Sequence, residues 1–147
     1  MLRVGDFAPP FHLSPVFGLE IDSGELTRSL VVVFQRGLPR RRIALLTEAW
    51  PELDREGFGL VLITDATLPR ARDLVPRLHL RFPVVVGPDL FKSWGLPPRR
   101  LGLASILGAM PRPLAIVLGP DLGVRYVGGF SVERVLTAAR APGSSSS

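Results

Sequence analysis

Val31-Val32-Val33-Phe34-Gln35-Arg36-Gly37-Leu38-Pro39-Arg40-Arg41-Arg42 is the stretch on which the reading of this chain turns. Val31 to Phe34 is a short continuous apolar run, the pattern of a strand buried on both faces. Proline suits the first position of a helix, where its missing N–H would have no partner anyway. Beyond it Ile43, Leu46, Trp50 and Leu53 recur at helical spacing. The stretch therefore predicts a buried strand that runs into a long helix, from near Pro39 to near Gly57. Pro51 is expected to kink that helix or end it early, and Gly57 to stop it.

On the N-terminal side, Phe7 to Leu13 and Phe17 to Ile21 read as an extended segment and a short hairpin. Ser23 and Gly24 open a helical turn through Leu30. On the C-terminal side, Phe58 to Thr64 reads as a second strand. Thr67 and Pro69 read as the cap and early position of a helix through Leu78, which Pro76 shortens or kinks. Val84 to Val86 is a third short strand, and Pro88 to Leu96 one more helix. The connection Pro97 to Pro111 is punctuated by Pro and Gly, with an apolar turn between Leu101 and Met110. Leu114–Leu118 and Val124–Val127 read as an antiparallel pair, and Ser131 caps a final helix carrying Val132, Val135, Leu136 and Ala139. A βαβ unit followed by a ββα unit on one sheet is the thioredoxin arrangement. The expected fold class is α/β, thioredoxin-like: a central mixed sheet of four or five strands with helices on both faces. Residues 1–140 form one domain on this reading, and 141–147, ending in four serines, a flexible tail.

Composition sets bounds on function. A chain of 147 residues, 46% hydrophobic, is large enough to bury a real core. The absence of cysteine excludes disulfides and cysteine-ligated metal. No apolar stretch reaches the roughly 18 residues of a membrane span. The N-terminal residues lack the apolar region of a secretory signal, so the cytoplasm is the expected location. The net charge is +5 and Lys92 is the only lysine. Arginine stays charged and pairs with carboxylate and phosphate in a planar fork, which permits an anionic partner without requiring one. The few aromatic residues lie mostly in apolar runs, which argues against a base-stacking surface for nucleic acid.

The order and spacing of several short motifs carry a resemblance. Val4-Gly5-Asp6-Phe7-Ala8-Pro9-Pro10-Phe11-His12-Leu13 is similar to the Gly-Asp-x-Ala-Pro-x-Phe-x-Leu entry of the peroxiredoxin family, also called the alkyl hydroperoxide reductase or thiol-specific antioxidant family. Phe34-x-Arg36-Gly37-Leu38-Pro39-x-Arg41-Arg42 resembles that family's Phe-x-Arg-Gly-Cys-Pro-x-Cys-Arg in everything except its cysteines. Phe82-Pro83-Val84, Pro88-Asp89, Trp94-Gly95-Leu96, Arg112-Pro113-Leu114 to Val117 and Gly123-Val124-Arg125-Tyr126 resemble later family segments in order. The resemblance covers residues 4 to 140 and implies the thioredoxin fold. It also places an active-site arginine at Arg112, and Pro113 becomes a candidate for a cis bond at the start of a strand facing the motif.

The departures from the pattern fall on the chemistry. The family's peroxidatic thiolate sits at a helix N-terminus, where backbone N–H groups and the dipole lower its pKa. Leu38 stands at that position and Arg41 at the second cysteine. Gln35 replaces the Thr or Ser that many members use to hydrogen-bond the peroxide. No catalytic residue, cofactor or metal is therefore assigned.

What remains is arginine. Arg36, Arg40, Arg41 and Arg42, with the Gly37 backbone and with Arg112, which the resemblance implies lies opposite, are the candidate residues of a site for a small anion such as phosphate, sulfate or carboxylate. The competing reading is a solvated charged face. His12 and His79 have no metal-ligand spacing. Asp65 and Asp73 lack a nucleophile to serve; Asp65 is expected to cap a turn and Asp73 to be exposed. The leading functional expectation is a peroxiredoxin-like, thioredoxin-fold protein without redox-active cysteines that acts by binding or association. One alternative is an enzyme or binding protein for a small anionic ligand at the arginine-rich helix start. The other is a structural partner, as homodimer or in association with an active homologue.

Overall fold

The computed structural model describes residues 1–96 and 113–139. Strand β3 (Leu30–Gln35) is buried along its whole length. It pairs in parallel with β4 (Gly59–Thr64), which pairs in parallel with β5 (Val84–Val86). On its other side β3 pairs antiparallel with β6 (Leu114–Leu118), which pairs antiparallel with β7 (Val124–Gly129). The sheet order is β5-β4-β3-β6-β7, so the apolar run that opened the analysis is the central strand. Expected strand positions agree to within two residues.

Alternation along a strand splits the core into two layers. Val31 and Val33 face one layer, together with Ile43, Leu46 and Leu53 of helix α1 (Arg40–Arg55). Helix α2 (Leu68–Arg77) and α4 (Val132–Ala139) pack in the same layer through Ala71, Val75, Val135 and Leu136. Val32 and Phe34 face the other layer, with Phe91 of helix α3 (Pro88–Ser93), Trp94, Phe11 and Leu13. The Phe34 ring meets Phe91 edge-on at 5.1 Å and Trp94 at 5.5 Å. Helices thus lie on both faces, as the thioredoxin-like reading requires.

Three local differences have physical causes. Helix α1 runs through Pro51 to Arg55 instead of ending early, because Ala49 and Leu53 on either side of the proline stay buried against the sheet. It ends where expected: the Phe58 N–H donates to the Leu53 carbonyl and the Gly57 N–H to that of Asp54. Helix α3 stops at Ser93, short of Leu96. Gly95, at φ +78°, reverses the chain, with Leu96 N–H donating to Phe91 and Gly95 N–H to Lys92. That turn drops Leu96 into the second layer. The turn expected from Ser23 to Leu30 is only the single 3₁₀ turn Ser23–Glu25, capped by Asp22.

Strands β1 (His12–Leu13) and β2 (Ile21–Asp22) form the expected hairpin. On its exposed side His12 Nε2 lies 2.9 Å from Glu20 Oε2, and Nδ1 lies 3.6 Å from Asp22 Oδ2. The hydrogen bond and charge of Glu20, then those of Asp22, raise the His12 pKa above its ordinary 6.5. The protonated form is therefore favoured in the folded state. Its contribution is complete below the unfolded value and is lost as pH rises through the raised folded one. A proton NMR titration should give His12 a midpoint above 6.5. Glu20→Gln should bring that midpoint down; an unmoved midpoint would remove Glu20 as the cause.

Among the described residues no helix is long and apolar enough to cross a membrane. The tail 141–147 and the segment 97–112 lie outside the described residues.

Candidate functional site

The turn Gln35–Pro39 lies at the C-terminal ends of the parallel strands β3 and β4, where open α/β sheets place their ligands. The register pairs Gln35 with Thr64. The next residues, Arg36 and Asp65, therefore leave the sheet side by side. Arg36 Nη1 donates to Asp65 Oδ2 at 3.1 Å, with the two side chains only 11% and 8% exposed. The other Asp65 oxygen accepts the Gly37 N–H at 2.8 Å. Thr64, fully buried, donates its hydroxyl to the Gly37 carbonyl at 2.6 Å and accepts the Ala66 N–H. Gly37 sits at φ +64°, which a β-carbon would strain even though the space beside it is open. Both backbone groups of Gly37 are thus held, by Thr64 at the end of β4 and by Asp65 just beyond it, and the turn is latched to its neighbouring strand.

The Arg36 guanidinium also lies 4.7 Å over the face of Phe91, a cation–π contact within the usual range. Gln35 is buried, donates to the Arg36 carbonyl and accepts from Arg42 Nη1 at 3.2 Å. Its amide is engaged by the protein at the position from which the resemblance would have a hydroxyl address a peroxide.

Leu38 points into the first core layer and is 6% exposed. Pro39 caps α1 without a side-chain hydrogen bond, and the first turn of the helix holds no acidic residue. Arg40 and Arg41 are exposed, and Arg42 is partly buried. The structure therefore brings Arg36, Gly37 and Arg42 into one hydrogen-bonded turn, while Arg40 and Arg41 stand outside it. Pro113 is buried and precedes Leu114, which pairs with Phe34, so β6 enters the sheet beside the same turn. Arg112 lies outside the described residues, and with it the Arg112–Pro113 bond expected as a cis candidate.

Asp65 is the residue whose role the sequence reading missed. It was expected to cap a turn; it does accept a turn N–H, and it also pairs with a largely buried arginine 29 positions earlier. Asp73 is exposed as expected and pairs with Arg77 at 3.2 Å. His12 lies on strand β1 and His79 in the turn after α2, and no three potential metal ligands gather among the described residues.

No protein-family model and no curated protein sequence matches the chain. Solved structures do. Peroxidoxin BcpB from Mycobacterium tuberculosis superposes with a TM-score of 0.74 at 18% identity, over 97% of this chain and 99% of that one. Thiol peroxidase from Chromobacterium violaceum gives 0.71 at 16% identity, over 95% and 86%. The thioredoxin domain of a thiol-disulfide oxidoreductase from Bacteroides vulgatus gives 0.65 at 12% identity, over 95% and 98%. Such identities speak to fold alone, and the fold is that of peroxiredoxins and other thioredoxin-fold proteins. This chain carries it with no cysteine at all.

Proposed function

We propose that this is a peroxiredoxin-fold protein that performs no thiol catalysis and acts by binding or association. Leu38 is the observation that carries the reading. A side chain with no proton to lose and no electron pair to give stands where the resemblance puts the nucleophile, and it is packed into the core. The surrounding groups are turned to structural use: Arg36 to Asp65, Gln35 to Arg36 and Arg42, Thr64 to Gly37. Insulin-disulfide reduction and hydroperoxide consumption, each run beside a cysteine-bearing homologue, test the reading. The expected rate is that of the protein-free blank.

The bare start of α1 favours a second reading, a weak site for a small anion. Arg40 and Arg41 stand exposed where the helix dipole prefers negative charge, and no acidic side chain occupies the first turn. Sulfate or phosphate added at low ionic strength should then raise the melting temperature, and added chloride should weaken the effect. Arg41→Ala should abolish the rise with little change in the anion-free melting temperature, because an exposed arginine contributes little to stability. No rise with any anion would reduce the cluster to a charged surface.

A further inference from the structure

Away from the latched turn, two clefts adjoin on the side of α1 and α2. The first, about 240 Å³, is walled by Trp50, Pro51 and Phe82, with His79 and Arg81 also lining it. The second, about 420 Å³, runs from Val75 and Leu80 to Phe17 and Leu19. Arg81 and Phe82 line both, so the two clefts adjoin at these residues and together form the groove considered below. The chain builds it where α2 gives way to β5. His79 takes a left-handed conformation at φ +50° and starts the crossing segment that carries Leu80 to Pro83.

The groove is apolar with a cation shared between its halves. Phe17 and Leu19 are 52% and 90% exposed, two large apolar side chains together on one rim. Single exposed leucines are ordinary; apolar side chains gathered beside a concave surface mark a contact. Among the described residues no aspartate or glutamate lines either half. Arg28, Arg36 and Arg77 each have a carboxylate partner, whereas Arg81 enters none of the ion pairs among the described residues.

We propose that this groove docks a short extended segment of a partner protein, in which an acidic residue is flanked two positions away on each side by an apolar one. In an extended chain, residues two apart share a face. The acidic side chain would meet the Arg81 fork, while its apolar neighbours fill the Trp50 half and the Phe17–Leu19 half. The net charge of +5 favours approach of an acidic partner. This deepens the association reading and rests on it.

Trp50 makes the test direct. Trp94, 3% exposed in the opposite layer, does not border the groove, so a change in tryptophan emission that Trp50→Phe abolishes reports occupancy. The probes are capped heptapeptides of serine and threonine with Phe at the second and sixth positions and either Glu or Lys at the fourth. The Glu peptide should give a saturable, salt-weakened blue shift and bind about tenfold or more tightly than its Lys counterpart. Arg81→Glu should reverse that preference. If this variant misfolds by circular dichroism, Arg81→Gln should erase the preference instead. The proposal is overturned if neither peptide saturates, or if the preference survives the loss of Arg81. It is equally overturned if Trp50 responds to anionic lipid vesicles or to self-association in sedimentation and not to the peptides. Hydroperoxide turnover on the same samples would overturn the non-catalytic reading whatever the peptides do.

Discussion

Asp65→Ala should lower the melting temperature by about 6–20 °C. Removing one partner of a buried ion pair costs about 3–5 kcal/mol, because the remaining charge stays in a poorly solvated place. For a chain near 150 residues each kcal/mol is worth about 2–4 °C. The substitution also takes the acceptor from the Gly37 N–H. Asp65→Asn should cost less, since its amide oxygen can still receive one of the two donors. The double variant Arg36→Met/Asp65→Asn should recover part of the loss, because no charge is then buried, and a double-mutant cycle would read the coupling between the two. A melting temperature for Asp65→Ala within a degree or two of the parent would mean that the pair does not hold the turn.

Leu38→Ala should cost about 2–5 kcal/mol, the range for truncating a buried leucine and leaving a cavity. The neighbouring exposed arginines supply the contrast: Arg41→Ala should stay within about 0.5 kcal/mol of the parent. Chemical denaturation with urea, read by circular dichroism, measures both. A catalytic thiol position must admit substrate; Leu38 is enclosed. Leu38→Cys should accordingly fold and give a thiol that reacts with a disulfide probe, but more slowly than free cysteine at the same pH. The helix start and the arginines lower a thiol pKa, while apolar burial raises it. At 6% exposure, burial is expected to win. An Ala variant as stable as the parent, or a Cys variant labelled faster than the free amino acid, would show that the position is open to solvent.

The central strand was legible because burial on both faces leaves an unbroken apolar run, Val31 to Phe34, that few other elements produce. The end of α1 was legible through Gly57, whose stop is purely local. Pro51 does not end the helix early, because a helix anchored on both sides by core contacts outlasts one missing hydrogen bond. The ion pair that organises the site was not read from the sequence. Arg36 and Asp65 are 29 positions apart, and only the parallel register of β3 and β4 sets them side by side. A signal was present: two adjacent parallel strands end in Gln35-Arg36 and Thr64-Asp65, one basic and one acidic at the same level. The groove around Arg81 has no local signal, since residues 17–19, 47–51 and 75–84 meet only in the fold.

The reading of the arginines shifts accordingly. The sequence grouped Arg36, Arg40, Arg41 and Arg42 by proximity along the chain. In the structure Arg36 spends its charge inward on Asp65, and Arg42 reaches Gln35. Arg40 and Arg41 are the exposed pair at the helix start. Arg41, which stands at the second cysteine position of the resemblance, therefore carries the anion test.

Hydroperoxide consumption tests the central claim most directly. Hydrogen peroxide and an organic hydroperoxide would each be followed with thioredoxin, thioredoxin reductase and NADPH, over a series of protein concentrations and beside a cysteine-bearing peroxiredoxin. The account predicts that the rate stays at the protein-free blank at every concentration. A rate that rises in proportion to this cysteine-free protein would contradict it.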